Sequence, residues 1–174
     1  MRHVPNLLSA ARLVAAPYVF LLLWSREWEA ALVWMAIIGA TDGLDGYLAR
    51  RFDAASKLGA YLDPVADKVL LSGCFLTLGW SGTIPVWLAV LVLGRDAAIL
   101  LFAMGVLLLT KIRREFPPSK AGKLSTLVQI VYVLTVVSAQ AGYVSMTAAT
   151  LVGFVVLAAT GWSSVDYAWR MWRK

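Results

Sequence analysis

The chain has 174 residues, 60% of them hydrophobic, with a mean hydropathy of +0.74, against about 45–50% apolar residues in ordinary soluble domains. That composition excludes a small soluble fold, which could not bury so much apolar surface, unless the residues gather into runs of about 20 that a bilayer accepts. A formal net charge of +6 is not gathered into an exposed basic domain, so no nucleic-acid partner is expected, and the single cysteine, Cys74, excludes a disulfide framework or a thiolate metal site.

The N-terminal stretch Val4-Pro5-Asn6-Leu7-Leu8-Ser9-Ala10-Ala11-Arg12 reads as a short helix lying along a membrane interface, with Pro5 tolerated in its first turn. Apolar runs then follow at residues 13–24, 30–49, 58–80, 84–110, 124–142 and 146–169, each about long enough to cross roughly 30 Å of hydrocarbon as a helix. Ser25-Arg26-Glu27-Trp28-Glu29 after the first run offers no small-residue cleavage site, so that run is read as a retained span. The runs are continuous, not alternating, which excludes a membrane β-barrel. The expected fold is therefore all-α: a polytopic integral membrane protein of about six transmembrane helices plus the short interfacial helix, forming one domain over residues 1–174.

Charge orients these spans. Connectors near residues 25–29, 81–83 and 140–145 carry almost no positive charge, Arg26 excepted. The opposite ends carry Arg2 and Arg12, then Arg50, Arg51 and Lys57, then Lys111, Arg113, Arg114, Lys120 and Lys123, and finally Arg170, Arg173 and Lys174. The positive-inside rule places both termini and that face in the cytoplasm, in the cell's inner (plasma) membrane. Trp24, Trp28, Trp80 and Trp87 fall at the outer interface and Trp169 and Trp172 at the inner one, as an aromatic belt. Pro117-Pro118 breaks helix within the most highly charged connector, residues 111–120.

The chemistry lies in Thr41-Asp42-Gly43-Leu44-Asp45-Gly46-Tyr47-Leu48-Ala49-Arg50 and Gly59-Ala60-Tyr61-Leu62-Asp63-Pro64-Val65-Ala66-Asp67-Lys68. Asp42 and Asp45 are three apart and Asp63 and Asp67 four apart, so each pair shares one face of its helix. The short connection between the helices returns the chain to the same depth, where the pairs can face each other. Acids inside a membrane are costly and seldom without function. An all-oxygen set of four carboxylates suits hard cations, Mg²⁺ or Mn²⁺. Two ions about 3.5–4 Å apart can grip both the attacking and the leaving oxygen of a phosphoryl displacement. Gly43, Gly46 and Gly59 leave room for a phosphate or nucleotide to approach the backbone. The bland alternatives are weaker: Gly39 and Gly43 also make a helix-packing pattern, but a structural salt-bridge network would need matching bases inside the membrane, where only Lys68 and Arg95 stand. Asp53 is a solvated loop residue and His3 a solvated terminal one.

Asp42, Asp45-Gly46, Ala49-Arg50, Gly59, Asp63 and Asp67 fit the pattern D-x-x-D-G-x-x-A-R-x8-G-x-x-x-D-x-x-x-D at every fixed position. This resembles the signature of the CDP-alcohol phosphotransferase family. The resemblance implies transfer of a phospho-alcohol unit from a CDP-alcohol to a second alcohol, with release of CMP. It implies that Asp42, Asp45, Asp63 and Asp67 ligate the metals, that Asp67 is the general base beside Asp63, and that Gly46, Ala49, Arg50 and Gly59, with Asp42, line the CDP pocket. It also implies a homodimer.

Pro5-Asn6-Leu7-Leu8-Ser9-x-x-Arg12 and Leu62-Asp63-Pro64-Val65-Ala66-Asp67-Lys68 resemble the branch that uses CDP-diacylglycerol and glycerol-type acceptors, which holds the cardiolipin and phosphatidylglycerophosphate synthases. Gly94-Arg95-Asp96, where the second group usually has Arg-Glu, and Ser119-Lys120-Ala121-Gly122-Lys123-Leu124-Ser125-Thr126-x-x-Gln129 look closer to the cardiolipin synthases. The expected acceptor is phosphatidylglycerol, with glycerol 3-phosphate the alternative. Arg95, Arg113, Lys120 and Lys123 are the candidate acceptor-binding residues; for the connector cations the competing role is anchoring to anionic headgroups. An ion or proton transporter is the remote alternative, disfavoured because the acids lie toward one face and no broken-helix pair repeats in inverted order.

Overall fold

A computed structural model describes the backbone of residues 4–52, 57–109 and 120–172, and the side chains of 14–41, 68–101, 121–166 and 169. Six helices account for it: α1 (Val4–Trp24), α2 (Trp28–Phe52), α3 (Lys57–Trp80), α4 (Val86–Leu109), α5 (Lys120–Gln140) and α6 (Met146–Trp172), with no strand among the described residues. The expected interfacial helix is not a separate element. Residues 4–12 run straight into the first span as one helix of 21 residues, because nothing between Pro5 and Arg12 breaks the helix. Pro17 lies inside α1 at the cost of one backbone donor. The proline-bearing connector, residues 111–120, lies outside the described residues except for Lys120, which opens α5.

Two stretches, Ala121–Gln140 and Met146–Asp166, are long and apolar enough to cross a membrane; Val14–Trp24, Trp28–Thr41 and Lys68–Trp80 are shorter apolar helices. The helices are apolar on both faces: Val14, Leu21, Val33, Ile37, Leu76, Leu101, Leu127 and Phe154 all stay exposed. Such all-round apolarity belongs to core or bilayer helices.

The chain forms two compact units, residues 1–81 and 82–174. In the first, α1 packs against both α2 and α3. Its buried residues recur at helical spacing: Ala16, Val19 and Leu23 on α1, Ala31 and Ile38 on α2, and Leu71, Cys74, Phe75 and Leu78 on α3. Gly73 has the Phe20 ring so close that a Cβ there would stand 2.1 Å from Cζ. Tyr18 meets Trp34 edge-to-face, centroids 5.1 Å apart. The α1–α2 turn closes with Glu27 N donating to Leu22 O at 2.9 Å and Arg26 N to Leu23 O at 3.3 Å, Arg26 taking the left-handed conformation (φ 62°) usually left to glycine.

In the second unit, α5 and α6 form an antiparallel pair and α4 touches α6 over a shorter stretch. The turn repeats the same cap, with Tyr143 N donating to Ser138 O at 2.9 Å around Gly142 (φ 85°). Buried positions on α5 (Gly122, Ser125, Gln129, Tyr132, Val136) and on α6 (Ala149, Gly153, Val156, Thr160, Ser163) alternate in steps of three and four, the spacing of a knobs-into-holes seam. The Tyr132 ring lies over Gly153, 3.2 Å from where a Cβ would stand, which sets the register. Counting from that contact, Val136 is level with Ala149, Gln129 with Val156, Ser125 with Thr160 and Gly122 with Ser163.

Candidate functional site

The signature residues divide between two consecutive helices. Asp42, Asp45, Gly46, Ala49 and Arg50 lie on the last three turns of α2, and Gly59, Asp63 and Asp67 on the first three of α3. Helical backbone at these positions places Asp42 with Asp45, and Asp63 with Asp67, on single faces, as their spacing predicts. The side chains of all eight, and with them the meeting of the two pairs, lie outside the described residues. Among the described residues no group of three His, Cys, Asp or Glu could hold a metal ion. At the edge of the stretch the Thr41 hydroxyl donates to Ile37 O at 2.8 Å, and Lys68 is half-buried. A Cβ on Gly39 would meet nothing within 4 Å, so this part of the small-residue pattern packs against none of the described side chains.

The donor set suits a divalent cation of the hard kind. It consists of four carboxylates, and residues 41–68 contain no histidine or cysteine, which leaves oxygen chemistry, the preference of Mg²⁺ and Mn²⁺.

The second unit holds the charged group that sequence reasoning singled out inside a span. Arg95 and Asp96, both on α4, are buried, with side chains 7% and 6% exposed, and Nη1 of Arg95 lies 2.6 Å from Oδ1 of Asp96. Neighbours on a helix diverge in direction, yet the long arginine side chain turns back to its acidic neighbour. Its Nη2 donates to Ser163 Oγ on α6, tying the two helices together. Both charges are thus withdrawn from the surface of the unit.

The other acceptor candidates are not gathered there. Lys123 is exposed on α5, off the face that buries Gly122 and Ser125. Arg113 and the Lys120 side chain lie outside the described residues. What sequence reasoning missed is uncharged: Thr160 and Ser163 on α6, and the burial of Ser125 and Gln129 on α5, which it quoted only within the stretch resembling the cardiolipin synthases; all four are fully buried. Their signal was the three-and-four spacing of polar residues inside apolar spans. An apolar cavity of about 160 Å³ lies toward the other end of this unit, among Ile84, Trp87, Leu88, Val136, Met146 and Phe154. No charged residue lines it, and we assign it no chemical part.

Comparison with known proteins shows the family. The sequence profile described as CDP-alcohol phosphatidyltransferase matches residues 2–160. A protein named cardiolipin synthase (CMP-forming) from Streptomyces coelicolor is 34% identical over 95% of this chain and 78% of its own length. A probable phosphatidylglycerophosphate synthase from Mycobacterium tuberculosis is also 34% identical, over 98% of this chain and 82% of its own. The human cardiolipin synthase (CMP-forming) is 38% identical over 56% of this chain and 33% of its own.

Proposed function

The chain belongs to the CDP-alcohol phosphatidyltransferase family of phospholipid-biosynthesis enzymes, and on that premise we propose that it transfers the phosphatidyl group of CDP-diacylglycerol to phosphatidylglycerol, releasing CMP and forming cardiolipin. What supports the reading is that helical backbone puts Asp42 with Asp45 on one face of α2 and Asp63 with Asp67 on one face of α3. Asp42, Asp45, Asp63 and Asp67 would hold the divalent ions, Mg²⁺ or Mn²⁺ and two in number, which would supply charge stabilisation for the displacement at phosphorus. Gly46, Ala49 and Gly59 let the CDP moiety reach the backbone, and Arg50 balances its pyrophosphate charge. Asp67 takes the proton of the acceptor hydroxyl. The hydroxyl oxygen bonds to the phosphatidyl phosphorus as the bond from phosphorus to the CMP oxygen breaks, and CMP leaves with that electron pair. Arg95, Arg113, Lys120 and Lys123 bind the acceptor.

The helices form six spans of one domain, residues 1–174, in the inner (plasma) membrane, with both termini and the aspartates toward the cytoplasm; two copies form a dimer. The exposed Trp24, Trp80, Trp87 and Trp169 at helix ends support that placement.

Glycerol 3-phosphate is the second reading, favoured by the relative named as a phosphatidylglycerophosphate synthase. The buried charge in the second unit favours the first. Arg95 already shares its charge with Asp96, which suits a singly charged phosphodiester better than a doubly charged phosphomonoester. The test is CMP release by purified protein given CDP-diacylglycerol, Mg²⁺ or Mn²⁺, and one acceptor at a time. Release with phosphatidylglycerol alone supports the proposal, and release with glycerol 3-phosphate alone replaces it by the second reading.

A further inference from the structure

The seam between α5 and α6 changes character along its length. Layers built on Val136 with Ala149 and Tyr132 with Gly153 are apolar or aromatic. Those built on Gln129, on Ser125 with Thr160, and on Ser163 bring polar side chains to positions of 0–1% exposure. Ser163 continues the polar run to Arg95.

Two atoms in that run have no hydrogen-bond partner among the described residues: Gln129 Oε1 and Thr160 Oγ1. The threonine stands out against its own kind. Thr41, Thr77, Thr126, Thr135 and Thr150 each donate to the carbonyl four residues back, the ordinary way for a helical hydroxyl to be satisfied where water is absent. Thr160 does not. Gln129 reaches Ser125 Oγ only through Nε2 and only at 3.5 Å, the far limit of a hydrogen bond. Leaving such groups unmet in a buried seam is costly, and apolar residues of equal size were the easy alternative at two positions of an otherwise regular packing pattern.

The two atoms are chemically complementary: an amide oxygen only accepts, whereas a threonine hydroxyl can donate. An uncharged hydroxyl, of an alcohol or of water, donates to one and accepts from the other. We infer that Gln129 and Thr160 are specificity-determining residues that bind the spare hydroxyl of a glycerol-type acceptor, the one not consumed in the transfer, beside the Arg95–Asp96 pair that meets the acceptor phosphate. The inference deepens the proposed function and rests on it. The bound hydroxyl donates a hydrogen bond to Gln129 Oε1 and accepts one from Thr160 Oγ1. An alcohol lacking it leaves both groups unmet, the situation in which a polar site discriminates most strongly.

The test uses the full chain in mixed micelles with CDP-diacylglycerol, and compares phosphatidylglycerol with phosphatidyl-1,3-propanediol, which keeps the reacting hydroxyl but lacks the spare one. Thr160→Val and Gln129→Leu preserve volume and remove the unmet polar atoms, so each should fold with an unfolding temperature equal to or above that of the unaltered protein. Each should raise the KM for phosphatidylglycerol by about three- to tenfold, the worth of one neutral hydrogen bond, and leave the KM for CDP-diacylglycerol unchanged. With the propanediol lipid the unaltered protein and both variants should show the same KM. Unchanged phosphatidylglycerol KM in both variants, or an equal rise with both lipids, overturns the inference while leaving the transferase reading intact. A fall of several degrees in unfolding temperature with no change in KM also overturns it, by showing that the two groups serve packing. No CMP release by the unaltered protein with phosphatidylglycerol or glycerol 3-phosphate overturns the functional reading, and the inference with it.

Discussion

Replacing Asp96 by Ala isolates the worth of the buried ion pair. The carboxylate removed lies 2.6 Å from Nη1 of Arg95, whose side chain is only 7% exposed, so water cannot take its place without opening the helix pair. Breaking a buried pair from one side costs about 3–5 kcal/mol. An independent scale agrees in size, since a lone arginine at the centre of a membrane helix costs about 2.5–3.5 kcal/mol. Ser163 still accepts from Nη2, which puts the expected loss nearer 3 kcal/mol than 5 kcal/mol. For a chain of this size that is a fall in unfolding temperature on the order of 10 °C. The double replacement Arg95→Met with Asp96→Leu removes both charges at similar volume and should regain stability to within about 1 kcal/mol of the unaltered protein. Activity should not return with it, because the acceptor phosphate has lost its guanidinium. Tryptophan fluorescence during heating reads the first quantity and CMP release the second. A double variant as unstable as Asp96→Ala would refute the energetic reasoning, and one with unaltered acceptor kinetics would refute the role of Arg95.

Further outcomes follow from packing and capping. Gly73→Ala drives a Cβ to within 2.1–2.7 Å of the Phe20 ring and should cost about 1–3 kcal/mol as overpacking; adding Phe20→Leu should recover most of it, and additive losses in thermal unfolding would count against the contact. Gly142→Ala, at φ 85° in the α5–α6 turn, should cost about 1–2 kcal/mol, whereas Gly39→Ala, inside α2 with nothing within 4 Å, should stabilise the isolated chain by about 0.5–1 kcal/mol. If positions 39 and 142 instead respond alike, the left-handed cap is not what limits residue choice at position 142.

Helices were legible because their cause is local. The apolar run at 58–80 became α3 at Lys57–Trp80, and that at 146–169 became α6 at Met146–Trp172. The interfacial helix was misjudged as a separate element, since residues between Pro5 and Arg12 hold no helix breaker and α1 runs on through Arg12. The aspartate pairs were legible because helical phase alone puts residues three and four apart together; their meeting depends on tertiary approach, which spacing does not encode. Arg95 stood out because a charge in an apolar span is conspicuous, but its tie to Ser163, 68 residues away in sequence, could not be read. Thr160 escaped notice, and Gln129 entered only as part of the stretch resembling the cardiolipin synthases, because each is a neutral residue in an apolar run; only the register set by Tyr132 and Gly153 puts their unmet atoms in one polar seam.

The central claim is that the four aspartates run a metal-dependent transfer, and its most direct test is CMP release from CDP-diacylglycerol and phosphatidylglycerol by the unaltered protein and by Asp67→Asn, each with Mg²⁺ and with a chelator. The account predicts release that needs the metal and falls by about 10²–10⁴-fold in the variant, the usual worth of a general base. Release that survives chelation, or that Asp67→Asn leaves undiminished, would contradict it.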